Sequence, residues 1–139
     1  MIFGIGCDLC EVARMEKSLF GPHGAAFEMR VFGSAEREAL GADECRNAAN
    51  AHRQAHRAAS AAADFAAKEA FLKAAGTGLR EPFRLCEIEA ARLPSGAPVY
   101  RFSGQTAAWV AERKLTAYLS LSHDGGMAMA FCILEGPET

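Results

Sequence analysis

The stretch Phe65–Gly78, FAAKEAFLKAAGTG, restricts the fold more than any other part of the chain. At ~100° per residue in a helix, Phe65, Glu69, Leu72, Lys73 and Gly76 share one stripe, and Ala70, Phe71, Ala74 and Ala75 cover the remaining circumference. A helix apolar on nearly all sides is a buried one. Yet this one carries Lys68, Glu69 and Lys73. A buried carboxylate has to be paired, protonated or bound to a metal. Lys73, four residues after Glu69, offers a pairing in the favourable order, so a plain ion pair is one reading. Gly76 is a natural residue to end the helix.

A second carboxylate gives the other reading. Ile2–Cys7 has the alternation of a strand, with Phe3, Ile5 and Cys7 on one face and Ile2, Gly4, Gly6 and Asp8 on the other. Glycines strip the second face nearly bare, as where a ligand or another backbone comes close. Magnesium takes oxygen ligands, commonly one or two carboxylates with waters and substrate phosphates. Asp8 and Glu69 would form such an open site. Lys68 and Lys73 would supply positive charge to phosphate oxygens. Gly76-Thr77-Gly78 is a backbone that a phosphate chain can approach. Ser122-His123-Asp124 lies at a strand end, where polar groups reach a cleft, although Asp124-Gly125 is also a turn dipeptide.

The remaining elements follow from periodicity. Leu9, Val12, Ala13, Leu19 and Phe20 predict a helix stopped at Gly21-Pro22, with Asp8 as its cap and Glu11 closing a capping box. A short helix is expected over Ser34–Leu40, capped by Gly33 or Ser34. Residues 41–63 are Ala-rich, with no acid from Arg46 to Ala63. His52/His56 and Arg53/Arg57 repeat there at i,i+4; this is a solvated basic face or an anion-contacting one. Ile88–Leu93 and Pro98–Phe102 flank Pro94-Ser95-Gly96-Ala97 as a β-hairpin. Ser103 is placed to cap a helix through Arg113, with Trp109 and Val110 inward. Leu115–Ser122 and Met127–Leu134 read as strands joined across HDGG. The order predicts an α+β fold with a mainly antiparallel sheet packed with helices. One domain spanning 1–139 is expected.

The net charge is −2, which gives no general attraction for nucleic acid or an anionic membrane. No apolar run approaches the ~20 residues of a membrane span, and the N-terminus lacks the basic region of a signal peptide. A cytoplasmic protein is expected. Cys7 and Cys10 form a CxxC with no second ligand pair at short spacing, so they read as small hydrophobes rather than a zinc site.

Three motifs, GIGCDLCEVARM, FAAKEAFLKAAGTG and LSLSHDGGMAMAFCIL, resemble holo-acyl-carrier-protein synthase, the small bacterial type of 4′-phosphopantetheinyl transferase. They stand in the family's order at both ends and the middle of the chain. The resemblance implies a magnesium-dependent enzyme of lipid metabolism. It would move the phosphopantetheine arm of coenzyme A onto a serine of apo acyl carrier protein and release adenosine 3′,5′-bisphosphate. It assigns Asp8 and Glu69 to the metal, Lys73 to the pyrophosphate and His123 to the coenzyme A site. Arg14, with Lys17 on the same exposed helix face, would meet the acidic carrier protein. It also implies a homotrimer with sites between protomers. Asp64 departs from the pattern: the family often has a basic residue just before the Phe of FAAKEA, and Arg57 or Arg53 would have to substitute. The competing readings are a non-catalytic binder of coenzyme A or carrier protein, and a metal phosphohydrolase using water as nucleophile.

Overall fold

The computed structural model describes residues 1–41 and 51–138. In chain order they form β1 (Ile2–Glu11), α1 (Val12–Phe20), α2 (Gly24–Val31), α3 (Ser34–Leu40) and α4 (Ala51–Ala75). A 3-10 turn at Leu85–Glu87 leads into β2 (Ile88–Arg92) and β3 (Pro98–Phe102), followed by α5 (Gly104–Glu112), β4 (Thr116–Asp124) and β5 (Met127–Glu135). The fold is α+β. One antiparallel sheet has the order β1-β5-β4; β2 and β3 form a separate antiparallel hairpin.

Helix α4 lies across the inner face of the three-stranded sheet, and the glycines of β1 are why it can. A Cβ at Gly4 would stand 1.9 Å from the Ala74 carbonyl oxygen, and one at Gly6 2.0 Å from that of Ala70. The backbone that the bare strand face admits is therefore that of α4. Alanines make the same close fit along the rest of the contact: Ala63, Ala66, Ala67, Ala70 and Ala74 are buried, as are Ala128, Ala130 and Cys132 of β5. On the hairpin side, Phe71 anchors an aromatic cluster. Its ring centroid lies 4.9 Å from Phe102, 5.7 Å from Phe83 and 5.9 Å from Tyr100.

The N-terminal elements differ from expectation. Strand β1 runs on to Glu11, so Asp8 sits mid-strand opposite Ala130 and caps nothing; Glu11 occupies the cap position of α1 without a side-chain bond. Leu9 belongs to the strand and is exposed. Helix α2 was not anticipated; it buries Glu28 and Val31. At α3, Gly33 holds the cap position, and its amide donates back to Glu36 Oε1 at 3.1 Å. Ser103 makes no capping bond to α5; Glu87 Oε2 instead accepts from the Thr106 amide (3.1 Å) and hydroxyl (2.9 Å). The hairpin and the β4–β5 pair form where expected, with Gly125 and Gly126 both at positive φ in the β4–β5 turn.

The outer face of the three-stranded sheet has no covering layer among the described residues. Ile5, Leu9, Tyr118, Met129 and Phe131 are exposed on it. The 42–50 portion of the Ala-rich segment lies outside the described residues. The rest of that segment is the beginning of α4, which carries His52/His56 and Arg53/Arg57.

Candidate active site

Alternation along β1 turns Gly6, Asp8 and Cys10 toward α4. The glycine contacts bring that helix close enough for its side chains to meet Asp8. Lys73 Nζ donates to Asp8 Oδ1 at 2.9 Å and to the Cys7 carbonyl at 2.9 Å. The bond to Asp8 holds the Lys73 ammonium above its ordinary pKa. Glu69, one turn earlier, is half-buried. Its carboxyl is pushed above the usual range, first by burial and then by the charge of Asp8, while Lys73 pulls it down. Among the described residues Glu69 has no hydrogen bond or ion pair. The i,i+4 pair between Glu69 and Lys73 therefore does not form: Lys73 reaches across to the strand, and Glu69 is left as an acid beside an acid.

This donor set fits magnesium. Of two hard carboxylates near enough for the charge of Asp8 to act on Glu69, one is unpartnered and partly desolvated, and a lysine ammonium already balances the other. Among the described residues no cluster of three or more His, Cys, Asp or Glu is gathered that could hold a metal. Two carboxylates alone would leave the remaining positions to waters and phosphate oxygens, as for an ion of the magnesium type. Cys7 and Cys10 do not contribute. Both are free thiols on opposite faces of β1, Cys7 exposed and Cys10 buried.

The glycine loop directly follows the helix end. Gly76 and Gly78 have φ of +77° and +63°, and open space lies where a Cβ would project. His123 is not gathered with Asp8, Glu69 and Lys73 within the chain. It ends β4 opposite Ala128, with its Nε2 3.2 Å from the Ala59 carbonyl on the first half of α4. Counting two strand spacings and two residues from Asp8 puts it roughly 12 Å away.

Lys68 is a correction. Expected beside phosphate, it is fully buried on the other flank of α4. Its ammonium donates to Glu36 Oε1, to the Ile88 carbonyl and, at 3.0 Å, to the Leu85 carbonyl. All three of its protons are used, so it has nothing to offer a ligand. Asp64 lies on that same flank, 7% exposed, with Oδ1 3.3 Å from Arg92 Nη2. Burial first, then the charge of Glu36, raises its carboxyl to about 7. Arg57 donates to the Ala39 carbonyl at 2.7 Å and so braces the end of α3. Neither the Lys73–Asp8 contact nor the Cys7 carbonyl was foreseen. The signal was present in the glycines: a helix laid on Gly4 and Gly6 must overhang Asp8.

On α1, Arg14 and Lys17 are exposed. Arg14 borders a hollow of about 130 Å³ with Leu9, Met15, Phe27 and Phe65.

Residues 4–132 match the family model of the 4′-phosphopantetheinyl transferase superfamily. The chain belongs to that superfamily. A holo-[acyl-carrier-protein] synthase of Methylobacterium sp. (strain 4-46) is 41% identical over 140 residues, covering 97% of this chain and 95% of its own length. The enzyme of the same name from Trichlorobacter lovleyi is 41% identical over 138 residues, covering 99% and 100%. Among solved structures, the holo-(acyl-carrier-protein) synthase of Bacillus anthracis in complex with CoA (3′,5′-ADP) superposes with a TM-score of 0.72 at 30% identity, covering 99% of each chain. The phosphopantetheinyl transferase fold thus spans nearly the whole chain, and membership of this family makes the protein an enzyme of the transferase class. No helix among the described residues is long and apolar enough to cross a membrane.

Proposed function

We propose that the protein transfers the 4′-phosphopantetheine arm of coenzyme A to a serine of an apo acyl carrier protein, dependent on magnesium, with release of adenosine 3′,5′-bisphosphate. The observation that carries this reading is the meeting of Asp8, Glu69 and Lys73 beside an open glycine loop, in a chain of this family.

In the reaction the serine oxygen bonds to the β-phosphorus, and the bond from that phosphorus to the departing bisphosphate breaks. Asp8 and Glu69 would hold magnesium, which would supply positive charge against the pyrophosphate oxygens. Lys73 adds a fixed positive charge to the same oxygens. The serine proton passes to Glu69 or to a water beside it. Gly76 and its loop admit the phosphate chain. His123 contributes to the coenzyme A site from its separate position, consistent with sites built between protomers. The exposed apolar face of Ile5, Leu9, Met129 and Phe131 supports a homotrimer closed through that face. Arg14 and Lys17 form the docking face for the acidic carrier protein. The chain acts as one domain, 1–139, in the cytoplasm, and its product serves fatty acid biosynthesis.

The test is mass spectrometry of apo carrier protein incubated with coenzyme A, with and without magnesium. Gain of the phosphopantetheine arm only with magnesium is the expected result. Hydrolysis of coenzyme A without transfer would make the protein a phosphohydrolase. Neither reaction would leave it a binding module for coenzyme A or carrier protein.

A further inference from the structure

Lys73 makes two contacts that a residue waiting for a phosphate has no need to make. Its ammonium is bonded to Asp8 Oδ1 and to the Cys7 carbonyl, both at 2.9 Å. The side chain remains 54% exposed, so nothing sterically holds it there. The attraction is local: two carboxylates meet at the end of a buried helix, and Glu69 raises the negative charge around Asp8 without having a partner of its own. An acid pair with no cation between its members repels itself. The ammonium supplies the missing positive charge on one side of the pair. It also occupies an oxygen of Asp8 that a metal ion would use.

We propose that Lys73 is a displaceable stand-in for the metal. It balances the acid pair while the site is empty, is expelled from Asp8 when a divalent cation enters, and is thereby released to the phosphate oxygens that arrive with the donor. The inference rests on the assignment of Asp8 and Glu69 to the metal. It adds an order of events: the cation that neutralises the empty site becomes the cation that neutralises the substrate. A lysine on a flexible four-carbon stem suits the task, because it is a compact charge that can swing between two anions. The exchange costs little, since a half-exposed ion pair is weak and its loss is offset by the stronger attraction of a divalent ion.

The test uses Mn²⁺ as the metal probe on the full chain. Its affinity is measured by titration for wild type, Asp8→Asn, Glu69→Gln, Lys73→Met and the exposed control Lys114→Met. Crystal structures are determined without metal and after a Mn²⁺ soak. The expected result is loss of binding in the two acid variants and tightening of roughly two- to five-fold in Lys73→Met, the scale of a half-exposed ion pair. Lys114→Met should be unchanged. In the crystals Lys73 should sit on Asp8 only without Mn²⁺. If Asp8→Asn and Glu69→Gln bind Mn²⁺ as wild type does, the metal assignment itself falls. If those variants lose Mn²⁺ but Lys73→Met binds no more tightly, the stand-in role alone is overturned. The same holds if Lys73 stays on Asp8 with Mn²⁺ bound, the magnesium reading surviving in both cases.

Discussion

Replacing Lys68 by Met removes a buried ammonium of which every proton is engaged. Glu36 loses its counter-charge, and the carbonyls of Leu85 and Ile88 lose a donor. Breaking a buried pair by deleting one partner costs about 3–5 kcal/mol, against a total stability of about 5–15 kcal/mol for an ordinary domain. For a chain of this size that corresponds to a fall in Tm of roughly 10–20 °C. The loss should grow with pH. Burial already holds the Glu36 carboxyl above its ordinary pKa, and the neighbouring Lys68 charge is the largest influence pulling it down. Without Lys68, Glu36 keeps its proton to a higher pH in the folded state than in the unfolded one. Raising the pH from 5 to 8 therefore favours unfolding, and the variant should lag wild type more at pH 8. Adding Glu36→Gln should recover part of the loss, because the lone charge is gone while the one amide oxygen still accepts from the Gly33 or the Ala90 amide, which in Glu36 meet different carboxylate oxygens. Urea unfolding followed by the fluorescence of Trp109, the sole tryptophan, reads all three proteins. Lys68→Met within about 1 kcal/mol of wild type, with a raised KM for coenzyme A, would refute the reasoning and return Lys68 to the phosphate site.

Three further outcomes are expected. Glu69→Gln should lower magnesium-dependent transfer by about two or more orders of magnitude while metal-free melting holds or rises, because the amide no longer repels Asp8; near-normal transfer by the folded variant would make Glu69 structural. Asp64 has a folded pKa of about 7 against 3.8 unfolded, so the stability it confers at acid pH is lost as pH climbs through the window from about 4 to about 7. Asp64→Asn should flatten that slope, by up to about 3 kcal/mol in urea melts at pH 5 and pH 8; identical slopes would contradict it. Arg14→Glu should raise KM for the carrier protein far more than for coenzyme A, most at low salt, in steady-state kinetics; unchanged carrier kinetics would move the docking face elsewhere.

The local elements of this fold were largely legible. Pro94-Ser95-Gly96-Ala97 and Gly125-Gly126 are turns whose chemistry allows little else, and the strands beside them followed. Asp8 and Glu69 stood out because each was a charge in apolar surroundings. What could not be read was which flank of α4 each charge would take. Lys68 and Lys73 are alike in sequence, each on a helix rich in alanine. Lys68 is inside only because α3 and the segment from the 3-10 turn into β2, distant in sequence, bring Glu36 and the carbonyls of Leu85 and Ile88 against it. Asp8 was misplaced for a related reason. Asp-x-x-Glu before a helical stripe is the pattern of a capping box, and only pairing with β5 keeps the chain extended through Glu11. Asp64 reads as a surface acid until Arg92 closes over it from the hairpin.

Gly4 and Gly6 let main chain touch main chain where β1 crosses α4. Helices usually ride on sheets over a cushion of side chains, which can repack, tilt or swell to absorb a substitution. Here that cushion is missing. The gap between the element bearing Asp8 and the element bearing Glu69 works as a fixed gauge, set by carbonyl oxygens. Sequence drift elsewhere in the core can loosen or tighten the molecule without altering how far apart those two acids begin. If the two acids hold a metal as proposed, an ion too large for the gauge would have to be met by movement of the carboxylate arms alone, since the frame behind them has no slack to give.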